Sequence, residues 1–240
     1  DEKELLYAIF GSEKVVVADG YDQLIRTGIP NNWAKSIRVK EVIKPISLTK
    51  SMRQKRNLVI FLKEFASLMK IGDLNIEEDE NLRGGKVIIQ VGDYTPELHQ
   101  ELIKRNLEDK NENVDMLFCI SPKYIDQDLT ANIICNKLNK WGFSVWNGVD
   151  QNIRKGSFPT EVSQFRVVQY DSCRGLEGWV TVNIGFDDFY NYKLSSFEEQ
   201  KGQIQLKSEG ERRKEYAANW LLIPLTRSMD TLVIQINDPN

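Results

Sequence analysis

The residue types that could do chemistry gather toward the C-terminal third of the chain. Arg174, Gly175 and Glu177 sit in a turn between two β-rich runs, 165–170 and 179–184. Thr226 and Arg227 follow about fifty residues later, just before an apolar run at 231–236. A glycine allows backbone to come close to a ligand. A carboxylate accepts from sugar hydroxyls, and the planar fork of an arginine suits phosphate oxygens. Together these residues have the composition of a nucleotide grip. The plain alternative is a β-hairpin with a charged turn.

Other chemistry is sparse. The single histidine, His99, lies in a polar helical stretch, which speaks against a His-based triad or metal cluster. The three cysteines, Cys119, Cys135 and Cys173, are odd in number and widely spaced. They fit neither a disulfide framework nor a zinc site and suggest a reducing, cytoplasmic setting. No G-x-x-x-x-G-K-S/T phosphate loop occurs. The net charge of −3 argues against a uniformly basic coat, although a local groove is compatible with it because distribution outweighs the sum. With 41% hydrophobic and 28% charged residues the 240-residue chain has an ordinary globular composition. No apolar run approaches the ~18–20 residues that cross a bilayer, so no membrane partner is expected.

Positioning these side chains requires strands and helices in alternation. Residues 4–10 have helical spacing and 14–18 read as a buried strand, followed by a β-rich run at 37–48. A helix is expected over 56–69, with Val59, Ile60, Leu62, Phe65, Leu68 and Met69 on one broad face. Residues 71–85 read as an exposed acidic loop. Then come a strand at 86–92, an amphipathic helix at 94–108, an apolar strand at 115–120, a helix at 125–141 and a short strand at 143–146. Residues 148–161 and 187–210 read as loops, and 211–222 as a helix packing Tyr216, Trp220 and Leu221. Such alternation implies a parallel sheet covered on both faces.

Arg174-Gly175-Leu176-Glu177 resembles motif V of the UvrD/Rep-type (superfamily 1) helicases, a basic residue followed by Gly-Leu-Glu. Leu225-Thr226-Arg227 resembles motif VI of the same family. Asp19-Gly20-Tyr21-Asp22-Gln23 is similar to motif III, Gly-Asp-x-x-Gln, with Ala18 in place of the usual glycine and one extra residue. Leu48 and Arg53 match motif IV, Leu-x-x-Asn-Tyr-Arg-Ser, where Ser51 and Met52 replace the Asn-Tyr.

That resemblance implies a three-layer α/β fold, RecA-like and of the P-loop NTPase type, with a mainly parallel sheet. Residues 1–30 would be the tail of the first RecA-like motor domain and 31–240 the second. ATP and Mg2+ are the implied cofactors, with the phosphate loop and the magnesium ligands expected elsewhere in a longer parent chain. Asp1-Glu2 is either the acidic Walker B pair or simply part of that tail. By resemblance Arg53 and Arg227 reach the γ-phosphate and Gln23 senses it. Glu177 contacts the ribose, while Gly175 and Arg174 line the nucleotide cleft. Arg174 also touches DNA phosphate, and Trp33 is the aromatic that could stack on bases. The implied partners are single-stranded or partly duplex DNA and the first RecA-like domain. About 120 residues separate Arg53 from Arg174, and the sheet with its helices uses them all, so the family's large helical insertion is expected to be small or absent. Three functions are open: a superfamily 1 DNA helicase or translocase, a helicase-derived binding module without a motor, and an ATPase of this fold acting on RNA or as a switch.

Overall fold

Segments that are apolar on both faces, such as Met116–Ile120, can be satisfied only inside a sheet that is covered on two sides. The computed structural model describes residues 8–9, 50–71, 74, 76–125, 132–198 and 207–239. The chain divides into two units, Asp1–Thr49 and Lys50–Asn240, and almost all described residues belong to the second. The expected break near residue 30 falls outside them.

In chain order the second unit contains α1 (Arg56–Leu68), β1 (Lys86–Val91), α2 (Pro96–Glu108), β2 (Met116–Ile120), α3 (Ile133–Lys140) and β3 (Val145–Asn147). It continues with α4 (Gln151–Gly156), β4 (Phe165–Gln169), β5 (Gly178–Ile184), α5 (Phe186–Ser195), α6 (Glu209–Leu225) and β6 (Ser228–Ile236). The strands form one sheet in the order β1-β6-β5-β2-β4-β3, and every neighbouring pair is parallel. This is the expected α/β architecture, consistent with a RecA-like domain.

Side chains alternate across each strand. Met116, Phe118 and Ile120 of β2 join Leu102 of α2, Leu138 of α3, and Phe165, Val180 and Val182 of the neighbouring strands in one core. Leu117 and Cys119 point to the opposite face, where α1, α5 and α6 supply the buried Leu58, Leu62, Phe189, Ala217 and Leu221. Burial of each such side chain is worth about 1.5–3 kcal/mol.

Several expectations need correction. Residues 187–210 do not form a single long loop: Phe186–Ser195 is helical. Residues 148–161 contain the helix Gln151–Gly156, opened by Asp150, whose carboxylate accepts from the Asn152 and Ile153 amides. The stretch 71–85 is not simply exposed, because Asp79 is buried and its carboxylate meets Lys50 at 3.2 Å. The described helix in 125–141 covers only Ile133–Lys140. The plain alternative of a β-hairpin at the charged turn does not hold either, since β4 and β5 each pair with β2, which lies between them.

Candidate functional site

β5 and β6 are parallel neighbours, with Gly178 in register with Ser228. The residues just before each strand therefore emerge side by side at the amino-terminal edge of the sheet. Glu177 precedes Gly178 and Arg227 precedes Ser228; the Gly178 amide donates to the Arg227 carbonyl at 3.1 Å. A third segment is laid against the same edge. Gln54 Nε2 donates to the Ser228 carbonyl at 3.2 Å, and the Lys55 amide to the Met229 carbonyl at 3.0 Å. These bonds carry Arg53 in beside Glu177.

Arg53 donates from Nη1 to Glu177 Oε1 and from Nη2 to the Thr226 carbonyl at 3.0 Å. Its Nε is buried without a partner among the described residues. Arg227 turns back on the end of α6, donating from Nε to the Ile223 carbonyl at 3.0 Å and from Nη2 to Thr226 Oγ1 at 2.8 Å. Burial lowers the Arg227 guanidinium below its usual value, and the nearby Arg53 charge adds to that. A third arginine, Arg166 of β4, donates from Nη2 to the Glu177 carbonyl at 2.6 Å. Burial lowers its value as well, with the Asp115 carboxylate opposing. Glu177 is thus held at both ends, its carboxylate by Arg53 and its carbonyl by Arg166. Three guanidiniums around Glu177 and Asp115 leave a surplus of positive charge, which suits phosphate oxygens.

The approach of Arg53 is anchored by a buried ion cluster. Asp230 of β6, 1% exposed, accepts from Lys55 Nζ and from Thr231 Oγ1 at 2.7 Å, and pairs with Arg105 Nη2 of α2 at 3.4 Å. Burial alone would raise this carboxyl, but hydrogen bonds from Lys55 and Thr231, with both cations, hold it below its usual value. The Lys55 ammonium also lies 4.9 Å from the Trp179 ring centroid.

The turn from β4 to β5 is pinned from the other side. Tyr170 stacks on Phe189 of α5 with centroids 4.3 Å apart, and Asp171 pairs with Lys193 of α5 at 2.8 Å. Cys173 Sγ donates to the Tyr170 carbonyl at 3.1 Å. Burial, reinforced by a hydrogen bond with Cys173, pushes the Cys119 thiol up, so Cys119 is a poor nucleophile at neutral pH. Gly175 has φ +77°, with open space where a Cβ would stand. Such a conformation favours glycine.

Of the residues singled out by sequence, Arg53, Glu177 and Arg227 are brought together, and Gly175 lies two residues from Glu177 on the exposed turn. Arg174 is exposed and turned toward α6, its guanidinium 5.1 Å from the Trp220 ring centroid. Gln23, Trp33 and Asp1-Glu2 lie outside the described residues. Arg166 and Asp230 were missed. The available signal was a charge standing inside an otherwise apolar strand run, at Phe165-Arg166-Val167 and Met229-Asp230-Thr231-Leu232.

Among the described residues no group of three or more His, Cys, Asp or Glu could hold a metal ion. No described helix is long and apolar enough to cross a membrane. No protein-family model matches the chain, and no curated protein matches it. A solved structure, the C-terminal domain of a possible DNA helicase from Lactobacillus plantarum WCFS1, is similar at 10% identity and a TM-score of 0.41, covering 78% of this chain and 88% of that one. A likeness at that level transfers neither a residue role nor an activity.

Proposed function

We propose that this chain supplies the second motor lobe of an ATP-dependent DNA helicase or translocase of superfamily 1. The observation that carries the reading is the meeting of Arg53, Glu177 and Arg227 at one sheet edge, from positions 53, 177 and 227 of the chain. In open parallel sheets a primary ligand cradle forms at the carboxyl ends of the strands. This cluster stands at the amino ends and offers arginine forks rather than a backbone cradle. Such a surface suits a lobe that closes on a nucleotide held by its partner, the first RecA-like domain.

On this reading Arg53 and Arg227 donate to the γ-phosphate oxygens and spread the charge that develops during transfer. Glu177 accepts from the ribose, Arg174 and Gly175 line the cleft, Arg174 also meets a DNA phosphate, and Gln23 and Trp33 take the γ-sensing and base-stacking roles. ATP supplies the phosphoryl group with Mg2+, whose ligands are assigned to none of the described residues. Arg53 can serve only by leaving Glu177, so closure exchanges an internal ion pair for ligand contacts.

The test is DNA-stimulated ATP hydrolysis by the protein carrying this chain together with a phosphate-loop lobe, wild type beside Arg53→Ala and Arg227→Ala. The motor reading expects a loss of roughly 10³-fold or more in turnover for either variant, the scale of arginine fingers, with single-stranded DNA still bound. A second reading, a helicase-derived binding module, is favoured by one fact: both guanidiniums already donate to groups within the chain. DNA binding without any ATP hydrolysis would select it.

A further inference from the structure

We propose that Trp220 is the positioning residue for Arg174, holding its guanidinium ready for a phosphodiester of a single nucleic-acid strand; this rests on the nucleic-acid reading above. Among the described residues Arg174 makes no ion pair and no hydrogen bond, and the Trp220 ring at 5.1 Å is its one electrostatic contact. A guanidinium lying on an aromatic face uses that face alone. Its in-plane N–H donors stay free, and this is the geometry that meets phosphate oxygens two at a time.

The ring is itself well held. Lys193, 5% exposed, lies with Nζ 3.6 Å from the Trp220 centroid while paired with Asp171. Tyr216 stands edge-on at 6.3 Å. Among the described residues Trp220 Nε1 is buried without a partner, and packing against Lys193 and Tyr216 orients the indole. Lys193 is already neutralised by Asp171, whereas Arg174 is exposed and unpaired. Beside it Gly175 offers open space on its Cβ side, which lets a strand come close to the turn. Arg174 loses less rotamer freedom on binding when its guanidinium already rests over the ring, and that advantage disappears with the ring.

The experiment is fluorescence anisotropy of a labelled 20-nucleotide oligo(dT) with this chain, titrated across a series of salt concentrations. Arg174→Ala should weaken binding and reduce the slope of log affinity against log salt by about 1. Trp220→Leu, which removes no charge, should weaken binding roughly two- to fivefold, and Trp220→Phe should restore it. The double variant Arg174→Ala with Trp220→Leu should bind no more weakly than Arg174→Ala alone. Near-ultraviolet circular dichroism checks the fold of each variant. Additive losses in the double variant, or full affinity in Trp220→Leu, overturn the proposal while the nucleic-acid reading stands. Failure of the wild-type chain to bind removes both.

Discussion

Arg53 and Glu177 lie 124 residues apart in sequence and are joined as an ion pair at the amino-terminal edge of the sheet. The fork assigned to a phosphate and the carboxylate assigned to a ribose are each other's partner in this chain. The two side chains are 34% and 44% exposed, and pairs so open to water contribute only about 0–1 kcal/mol. Glu177→Gln should therefore leave the urea unfolding free energy within about 1 kcal/mol of wild type. It should also release Arg53 and strengthen the binding of inorganic triphosphate in a calorimetric titration. A large loss of stability would make the pair a structural strut instead.

Asp230 behaves differently because it is shut away from water. Its carboxylate faces Lys55 and Arg105, and Asp230→Ala would strand two partly buried cations. The expected cost is about 3–5 kcal/mol, read from urea unfolding at neutral pH. The folded state holds this carboxyl below its usual value. Its contribution is therefore present at neutral pH and lost on acidification through that lowered value. Arg53 should also lose its setting, since Lys55 ties the segment to β6.

The strands were legible because a parallel sheet buries both faces and leaves unbroken apolar runs such as Met116–Ile120. Their order was not, because pairing is a long-range matter: nothing near 165–184 reveals that β2 separates β4 from β5. The sequence of α5 reads as loop because Asp187 and Asp188 stand in its first turn. Their carboxylates serve tertiary partners, Asp187 accepting from the Asn237 amide and Asp188 from Lys123. His99 was read from its polar neighbours, yet its side chain is wholly buried, since helical neighbours in sequence occupy different faces. In the site, Arg53, Glu177 and Arg227 were found through motif resemblance. Arg166 has no such signature, and its value lies in a carbonyl on the far side of the turn.

Two glycines with positive φ should respond unequally to alanine. At Gly175, φ +77°, an added Cβ meets nothing within 4 Å. Gly175→Ala should thus cost only the left-handed strain, about 1–2 kcal/mol. At Gly185, φ +63°, the new Cβ would collide with the Tyr124 ring. That ring is tethered through its hydroxyl to Asp188 at 3.2 Å and Asn237 at 2.7 Å and cannot step aside freely. Gly185→Ala should cost about 2–4 kcal/mol, strain and overpacking together. Denaturant midpoints of the two variants give the order; equal costs would mean that Tyr124 moves.

His99 gives the fold a pH dependence above the carboxylate range. Its ring is fully buried among Phe143 at 4.6 Å, Phe165 at 4.8 Å and Trp141 at 5.7 Å between centroids. Among the described residues only Tyr94 Oη, 2.9 Å from Nδ1, offers it a hydrogen bond, and Nε2 has none. Burial lowers its pKa from 6.5 to about 4. Between those values the unfolded chain binds a proton that the folded one refuses, so stability rises with pH across that interval. It should be complete above pH 6.5 and fall by about 3 kcal/mol as the pH drops to 4. The carboxyls of Glu78, Asp79, Glu211 and Asp230 are all lowered from ordinary values of 4.5 or less, so their losses come at more acid pH. Urea unfolding at pH 7.5 and pH 5 should therefore differ mainly through His99. In His99→Phe, which keeps an aromatic ring in the cage without a titrating nitrogen, that difference should shrink to a small remainder. An unchanged difference would move the pH dependence to another group.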